Sequence, residues 1–248
     1  MSWTPGPRYL LRRDCTLRLV SRLQPKRVLE IGCGGGDLAL RLAKMNCDVV
    51  ALDFSQEARA EAHARTEPVR QRVRIIADLS EAPGQFDLVG SFEVLEHIED
   101  DRVTLRTWVE KIAPGGALLL SVPAHHRRWG PSDELVGHYR RYERHEIEHR
   151  LTEAGLNVRL IWNYGFPLAN WVEPLREALS ARRLKSSSDL SKEARSARSG
   201  VDRRSLERVG SLLVSPPVML PFYWAQRPFL NRDCGNGYLA LAGRGSEE

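Results

Sequence analysis

Seven residues, Glu30-Ile31-Gly32-Cys33-Gly34-Gly35-Gly36, join the apolar run Arg27-Val28-Leu29 to the helix-forming stretch Asp37-Leu38-Ala39-Leu40-Arg41-Leu42-Ala43. Glycines at 32, 34 and 36 clear side chains from a turn where a ligand must approach the backbone. The helix that follows can aim free N–H groups at it. This is chemistry for a nucleotide-type cofactor. A dinucleotide loop would read G-x-G-x-x-G, but Asp37 stands where its third glycine should fall. A phosphate loop is excluded because no Gly-Lys-Ser/Thr follows. An acid beside the glycines suits a cofactor carrying positive charge better than one carrying phosphates.

At this point the chain resembles the class I S-adenosylmethionine-dependent methyltransferases, whose first motif is similar to Leu29-Glu30-Ile31-Gly32-Cys33-Gly34-Gly35-Gly36. A second strand, Asp48 to Leu52, ends in Asp53, 23 residues after Glu30. In a strand–helix–strand unit such an acid reaches ribose hydroxyls. Phe54 can lie against the adenine. A third strand, Val73 to Leu79, includes Asp78 where the family holds the adenine amino group. The resemblance implies cofactor contacts from Glu30, Gly32, Gly34, Gly36, Asp53, Phe54, Asp78, Leu79 and Glu93.

Glu93-Val94-Leu95-Glu96-His97 follows a fourth strand, Gln85 to Ser91. This Glu-x-x-Glu-His run is similar to one in metal-assisted O-methyltransferases of ubiquinone biosynthesis and in enzymes that methylate the terminal ribose of small RNAs. There a further histidine comes from the segment after the fifth strand, and His138 matches it here. The resemblance therefore implies a metal set of Glu93, Glu96, His97 and His138. On a helix, Glu93, Glu96 and His97 would share one face. Two carboxylates and two imidazoles suit Mg²⁺, Mn²⁺, Fe²⁺ or Zn²⁺. Without a metal, a base of near-neutral pKa is needed, and His126 and His138 lead, with His97 and His125 also in reach. The block Gly137-His138-Tyr139-Arg140-Arg141-Tyr142 resembles a signature of a bacterial methyltransferase group. Arg140 and Arg141 either clamp a substrate carboxylate or phosphate or pair with Asp133 or Glu134 on the surface.

The elements that must position these residues are legible. Leading residues 1–24 hold a helix from Arg8 to Leu23, apolar at helical spacing and stopped by Pro25. Helices are expected at Asp37–Met45, Ser55–Arg65, Asp100–Ile112 and Tyr142–Ala154. A fifth strand follows Pro114-Gly115, a sixth spans Leu156 to Trp162, and a seventh spans Gly237 to Gly243. The expected fold is a single α/β domain over residues 1–248: a Rossmann-like, mostly parallel seven-stranded sheet with flanking helices. Residues 167–235 form an insertion between strands six and seven, far longer than a hairpin loop. It should emerge at the ligand-binding edge as a helical lid, with helices at Glu173–Arg183 and Val201–Val214 and a mobile basic linker over 185–200.

The net charge of +5 is concentrated: nine basic residues oppose four acids between Ala181 and Val209. The remainder is neutral, so no nucleic-acid groove is expected across the main domain. Four cysteines lack C-x-x-C spacing, and no apolar run approaches the ~18 residues of a spanning helix. A cytoplasmic location follows, with the basic and aromatic 181–230 stretch able to touch an anionic membrane. The function expected is methyl transfer to oxygen of a small-molecule or lipid-like acceptor. The alternatives are ribose methylation of RNA, or a cofactor-binding scaffold without turnover.

Overall fold

The computed structural model describes residues 5–186 and 216–245. Seven strands form one sheet in the order β3-β2-β1-β4-β5-β7-β6. They are β1 (Arg27–Ile31), β2 (Asp48–Leu52), β3 (Val73–Ile76), β4 (Phe86–Phe92), β5 (Ile112–Pro123), β6 (Asn157–Tyr164) and β7 (Gly237–Gly243). Pairing is parallel from β3 through β5, and β7 runs antiparallel between β5 and β6. The strand order reverses at β1 and β4, which leaves a crevice beyond their carboxyl ends. The glycine loop and the Glu93–His97 segment both leave the sheet there.

Helices α1 (Pro7–Leu23), α2 (Asp37–Lys44) and α3 (Gln56–Thr66) precede α4 (Asp101–Glu110), α5 (Pro131–Val136) and α6 (Arg144–Glu153). One face of the sheet is covered by a cluster containing Leu19, Leu38, Leu42 and Ala62, the other by one containing Leu105, Trp108, Ile147 and Leu151. The inner strands are buried on both sides, so β1 and β2 read as apolar runs rather than alternating patterns. Helix starts are chemically marked. The Asp100 side chain accepts from Val103 N at 3.0 Å, and Glu143 and Glu146 form a reciprocal capping box on α6.

Some boundaries move for physical reasons. The third strand stops at Ile76, and Asp78 caps a short 3₁₀ turn instead of ending a strand. The helix expected from Tyr142 begins at Arg144, because Tyr142 bridges to Ala124 and buries its ring, its hydroxyl donating to Asp101 at 3.0 Å. After β6 the insertion opens with α7 (Leu168–Ser186), longer than the expected 173–183, and closes with α8 (Pro216–Gln226). The expected helix at 201–214 and nearly all of the expected linker at 185–200 lie outside the described residues. Both ends of the insertion meet α1: Leu10, Leu11, Ala169 and Met219 form one buried cluster. The Gln226 amide, buried between them, donates to Leu11 O at 3.2 Å and accepts from Gly165 N at 3.4 Å. Among the described residues no helix is long and apolar enough to cross a membrane.

Candidate functional site

The glycine loop has the shape its sequence requires. Gly32, Gly34 and Gly36 all take positive φ (76°, 52° and 74°). A Cβ at Gly32 would collide with Val94, whereas one at Gly34 would project into open space. The loop therefore packs directly against the Glu93–His97 segment on one side and leaves a cradle on the other. Glu30, buried in the middle of the sheet, points a carboxylate into this region. Its Oε2 has no hydrogen-bond partner among the described residues. Burial pushes its pKa up to about 8; Arg12 opposes the rise, and Asp37 and Asp53 add to it. A buried acid in that state suits a ligand that brings positive charge.

Asp53 spans the loop, accepting from Gly34 N at 2.8 Å and from Ser55 N at 3.0 Å. Phe54 beside it is 63% exposed, an uncovered aromatic face at the mouth of the cradle. Asp78 is exposed and accepts from Ser80 N at 2.8 Å and Ser80 Oγ at 2.5 Å, while Leu79 is partly buried against the core. Helix α1 lies across the start of α2, where the Tyr9 hydroxyl and Arg13 both donate to Asp37 at 2.8 Å.

The Glu93–His97 segment departs from the expected single helix face. Glu93 has φ 62°, and only Leu95–His97 form a 3₁₀ turn, so Glu93 lies outside the turn that holds Glu96 and His97. Its carboxylate meets Arg8 at 2.6 Å and Arg12 at 3.8 Å, and accepts from Ser121 Oγ and Tyr164 Oη at 2.9 Å each. Burial opposes ionisation, but the two guanidiniums and two hydroxyls hold its pKa well below the usual carboxylate range. Glu96 has the opposite environment. It is fully buried, and burial together with the Glu93 charge holds its carboxyl well above the usual range. Neither oxygen has a hydrogen-bond partner among the described residues.

His138 arrives from the loop after α5 and faces this turn. Its Nε2 is 3.7 Å from Glu96 Oε1, and its ring meets His97 edge-on with centroids 4.6 Å apart. One ligand atom from each of Glu96, His97 and His138 lies within 4.8 Å of the others. Glu93, the fourth residue of the expected metal set, is not in this group. On its other side His138 Nδ1 is 2.8 Å from Asp133 Oδ1. Arg141, buried at 1% exposure, clamps the same carboxylate through Nε at 2.9 Å and Nη2 at 2.8 Å. Burial opposes ionisation of Asp133, yet these bonds hold its carboxyl far below the ordinary value. Burial lowers the His138 pKa and Asp133 limits the drop. With Asp133 ionised, Nδ1 carries the proton and Nε2 is bare toward Glu96.

Other sequence candidates sit elsewhere. His126 is exposed and held by Glu146 at 2.6 Å, while His125 is buried with Nδ1 3.3 Å from Glu143. Arg140 pairs with Asp101 at 2.9 Å and donates to Glu99 O at 2.5 Å, so it does not clamp substrate beside Arg141. The residues sequence reasoning passed over are Asp133 as the support of His138, and Arg8 and Tyr164 as partners of Glu93. The Asp133-to-His138 spacing across a glycine was a usable signal; the reach of Arg8 from a separate helix was not.

A family model described as "Methyltransferase domain" matches residues 8–161. Among curated proteins, the ubiquinone biosynthesis O-methyltransferase of Xanthomonas campestris pv. campestris is 39% identical over 100 residues, which cover 38% of this chain and 42% of that protein. The chain thus matches less than half the length of that relative. Among solved structures, the [4+2]-cyclase SpnF superposes with a TM-score of 0.63 at 17% identity, over 99% of this chain and 86% of that one. The N-methyltransferase NodS of Bradyrhizobium japonicum, in complex with S-adenosyl-L-homocysteine, gives a TM-score of 0.54 at 26% identity, over 64% and 80%.

Proposed function

Because the chain belongs to the methyltransferase family of enzymes, we propose that it moves the methyl group of S-adenosylmethionine to an oxygen of a small or lipid-like acceptor. We place Glu96, His97 and His138 around a divalent metal ion at that oxygen. The observation that carries this reading is the meeting of Glu96, His97 and His138, with Glu96 two residues beyond Val94, the side chain against which Gly32 of the cofactor loop packs. The donor set fits a hard or borderline dication, since Glu96 is buried with both oxygens unpartnered among the described residues and stands beside a second carboxylate.

A dication bound there would lower the pKa of a coordinated acceptor hydroxyl and orient its oxygen toward the methyl carbon. The chain's own residues do the rest. Glu30 faces the positively charged cofactor, and Gly34 keeps the backbone clear for it. Methyl transfer is an in-line displacement at carbon, so the loop's fixed relation to the Glu93–His97 segment supplies alignment. Asp133 and Arg141 hold His138 with Nε2 bare, the tautomer needed either for a ligand or for a base that accepts the hydroxyl proton. A lipid-like acceptor is supported by Trp171 and Leu175 on α7 and Leu220 and Trp224 on α8, all large apolar side chains exposed on the insertion. These would also let the insertion rest on a membrane surface. The name of the Xanthomonas relative supports oxygen as the methylated atom.

The test is mass spectrometry of a cellular metabolite and lipid extract incubated with the enzyme and a deuterated-methyl cofactor. A deuteromethylated oxygen compound is expected. Glu96→Gln and His138→Ala should lower metal-stimulated transfer at least about tenfold, with cofactor affinity within about threefold of wild type. Full activity after exhaustive chelation would remove the metal from this reading. Failure to bind S-adenosylhomocysteine would remove the cofactor.

A further inference from the structure

Helix α7 presents Glu173, Arg176 and Glu177 toward α5. Both acids are engaged. Glu173 pairs with Arg128 and lies 3.6 Å from Arg141. Glu177 accepts from Ser132 N at 3.0 Å and from Ser132 Oγ. Arg176 keeps only a neutral partner at close range, donating through Nη2 to Ser132 Oγ at 2.6 Å. Its one ion pair among the described residues is with its sequence neighbour Glu177 at 3.9 Å.

The surroundings are rich in cations and donors. Arg8 and Arg141 are close enough for their charges to act on Arg176. Burial, then Arg8 and, more weakly, Arg141, lower its pKa to about 10, with Glu177 opposing. The carboxylate nearest to this guanidinium, Glu177 at 3.9 Å, is itself engaged by Ser132. Arg8 Nε and Arg128 Nε are buried without hydrogen-bond acceptors among the described residues. Arg141 cannot serve a ligand because it is sealed against Asp133. Arg176 can, since its side chain is 32% exposed. Ser132, which accepts from Arg176, directly precedes Asp133, and Asp133 touches His138. The cationic spot and the Glu96–His97–His138 cluster are therefore neighbours.

We propose that the methyl acceptor carries a phosphate or carboxylate group, and that Arg176 receives that group. This rests on the methyl-transfer reading above and names a property of its substrate. The planar fork of Arg176 can grip an oxyanion through two parallel N–H bonds, which fixes orientation as well as position. An acceptor anchored there would present a hydroxyl toward His138 and Glu96.

The experiment titrates inorganic phosphate, and separately benzoate, into the full-length protein saturated with S-adenosylhomocysteine, so that the cofactor's own carboxylate site is already filled. Calorimetry on wild type should show saturable binding of at least one anion in the millimolar range. Arg176→Met should weaken it at least about tenfold, and Arg176→Lys, which keeps charge but not the fork, by about three- to fivefold. A stronger response to phosphate identifies a phosphorylated acceptor, and a stronger response to benzoate a carboxylated one. Absence of saturable heat with both anions overturns the proposal, as does an Arg176→Met variant that binds them like wild type. Unchanged S-adenosylhomocysteine affinity certifies that each variant is folded. If that compound fails to bind wild type, it is the methyl-transfer reading that falls.

Discussion

Replacing Glu30 by Gln should stabilise the cofactor-free protein in alkaline solution while weakening its grip on the cofactor. Glu30 holds its proton up to about pH 8 in the folded chain, against 4.5 when unperturbed. For a carboxyl raised in this way the folded state binds a proton that the unfolded state has released. Stability is therefore greatest below about 4.5 and falls as pH climbs to about 8. Between pH 6 and pH 9 the loss amounts to about 2 to 3 kcal/mol at ~1.4 kcal/mol per unit. In a chain of 248 residues that corresponds to roughly 5 to 10 °C in Tm. Gln has nearly the same shape and no proton to lose, so its Tm should change less over this range by about that amount. Thermal unfolding of both proteins at half-unit pH steps reads the difference. The same pair, titrated with S-adenosylmethionine at pH 7 in buffers of different ionisation enthalpy, reads the second half. Wild type should release up to about one proton on binding, and Glu30→Gln none, with affinity at least about tenfold lower. Parallel Tm profiles, or equal cofactor affinity in the two proteins, would refute the reasoning that Glu30 is a buried acid kept for a cationic ligand.

Asp133→Asn preserves shape but can offer its amide to His138 Nδ1, favouring the tautomer that protonates Nε2. Turnover should fall at least about tenfold, with S-adenosylhomocysteine affinity unchanged by calorimetry. Arg8→Met leaves Glu93 buried with its weaker partner Arg12 at 3.8 Å and should cost about 2 to 4 kcal/mol in urea unfolding. Because Glu93 is depressed in the folded state, its contribution is present above about 4.5 and disappears as pH falls toward 2. The acid-unfolding midpoint of Arg8→Met should accordingly move upward. Glu96→Gln and His138→Ala should each abolish the stimulation by added Mn²⁺ or Zn²⁺ in the deuterated-methyl assay.

The sheet was legible because its signals are local. Buried parallel strands write themselves as apolar runs, and Gly32, Gly34 and Gly36 announce backbone conformations that other residues resist. The seventh strand, Gly237–Gly243, was readable to the residue because apolar side chains between two glycines fit a strand buried on both faces. The site was legible only in part. Glu96, His97 and His138 come together as the resemblance implied, but Glu93 does not join them. Its positive φ is invisible in a glutamate, and the guanidiniums that claim it come from a helix about eighty residues earlier in the chain. Arg141 meets Asp133, as one expected alternative had it, but buried rather than on the surface, whereas Arg140 answers to Asp101 on another element. Such pairings depend on how helices dock, which residue spacing does not encode.

The Gln226 amide rivets the end of the insertion to the first helix, holding Leu11 on one side and Gly165 on the other. Lifting α8 from the body must either break both bonds or drag α1 along, and α1 carries the two guanidiniums that neutralise Glu93. Displacing α1 in that way would strand a buried anion.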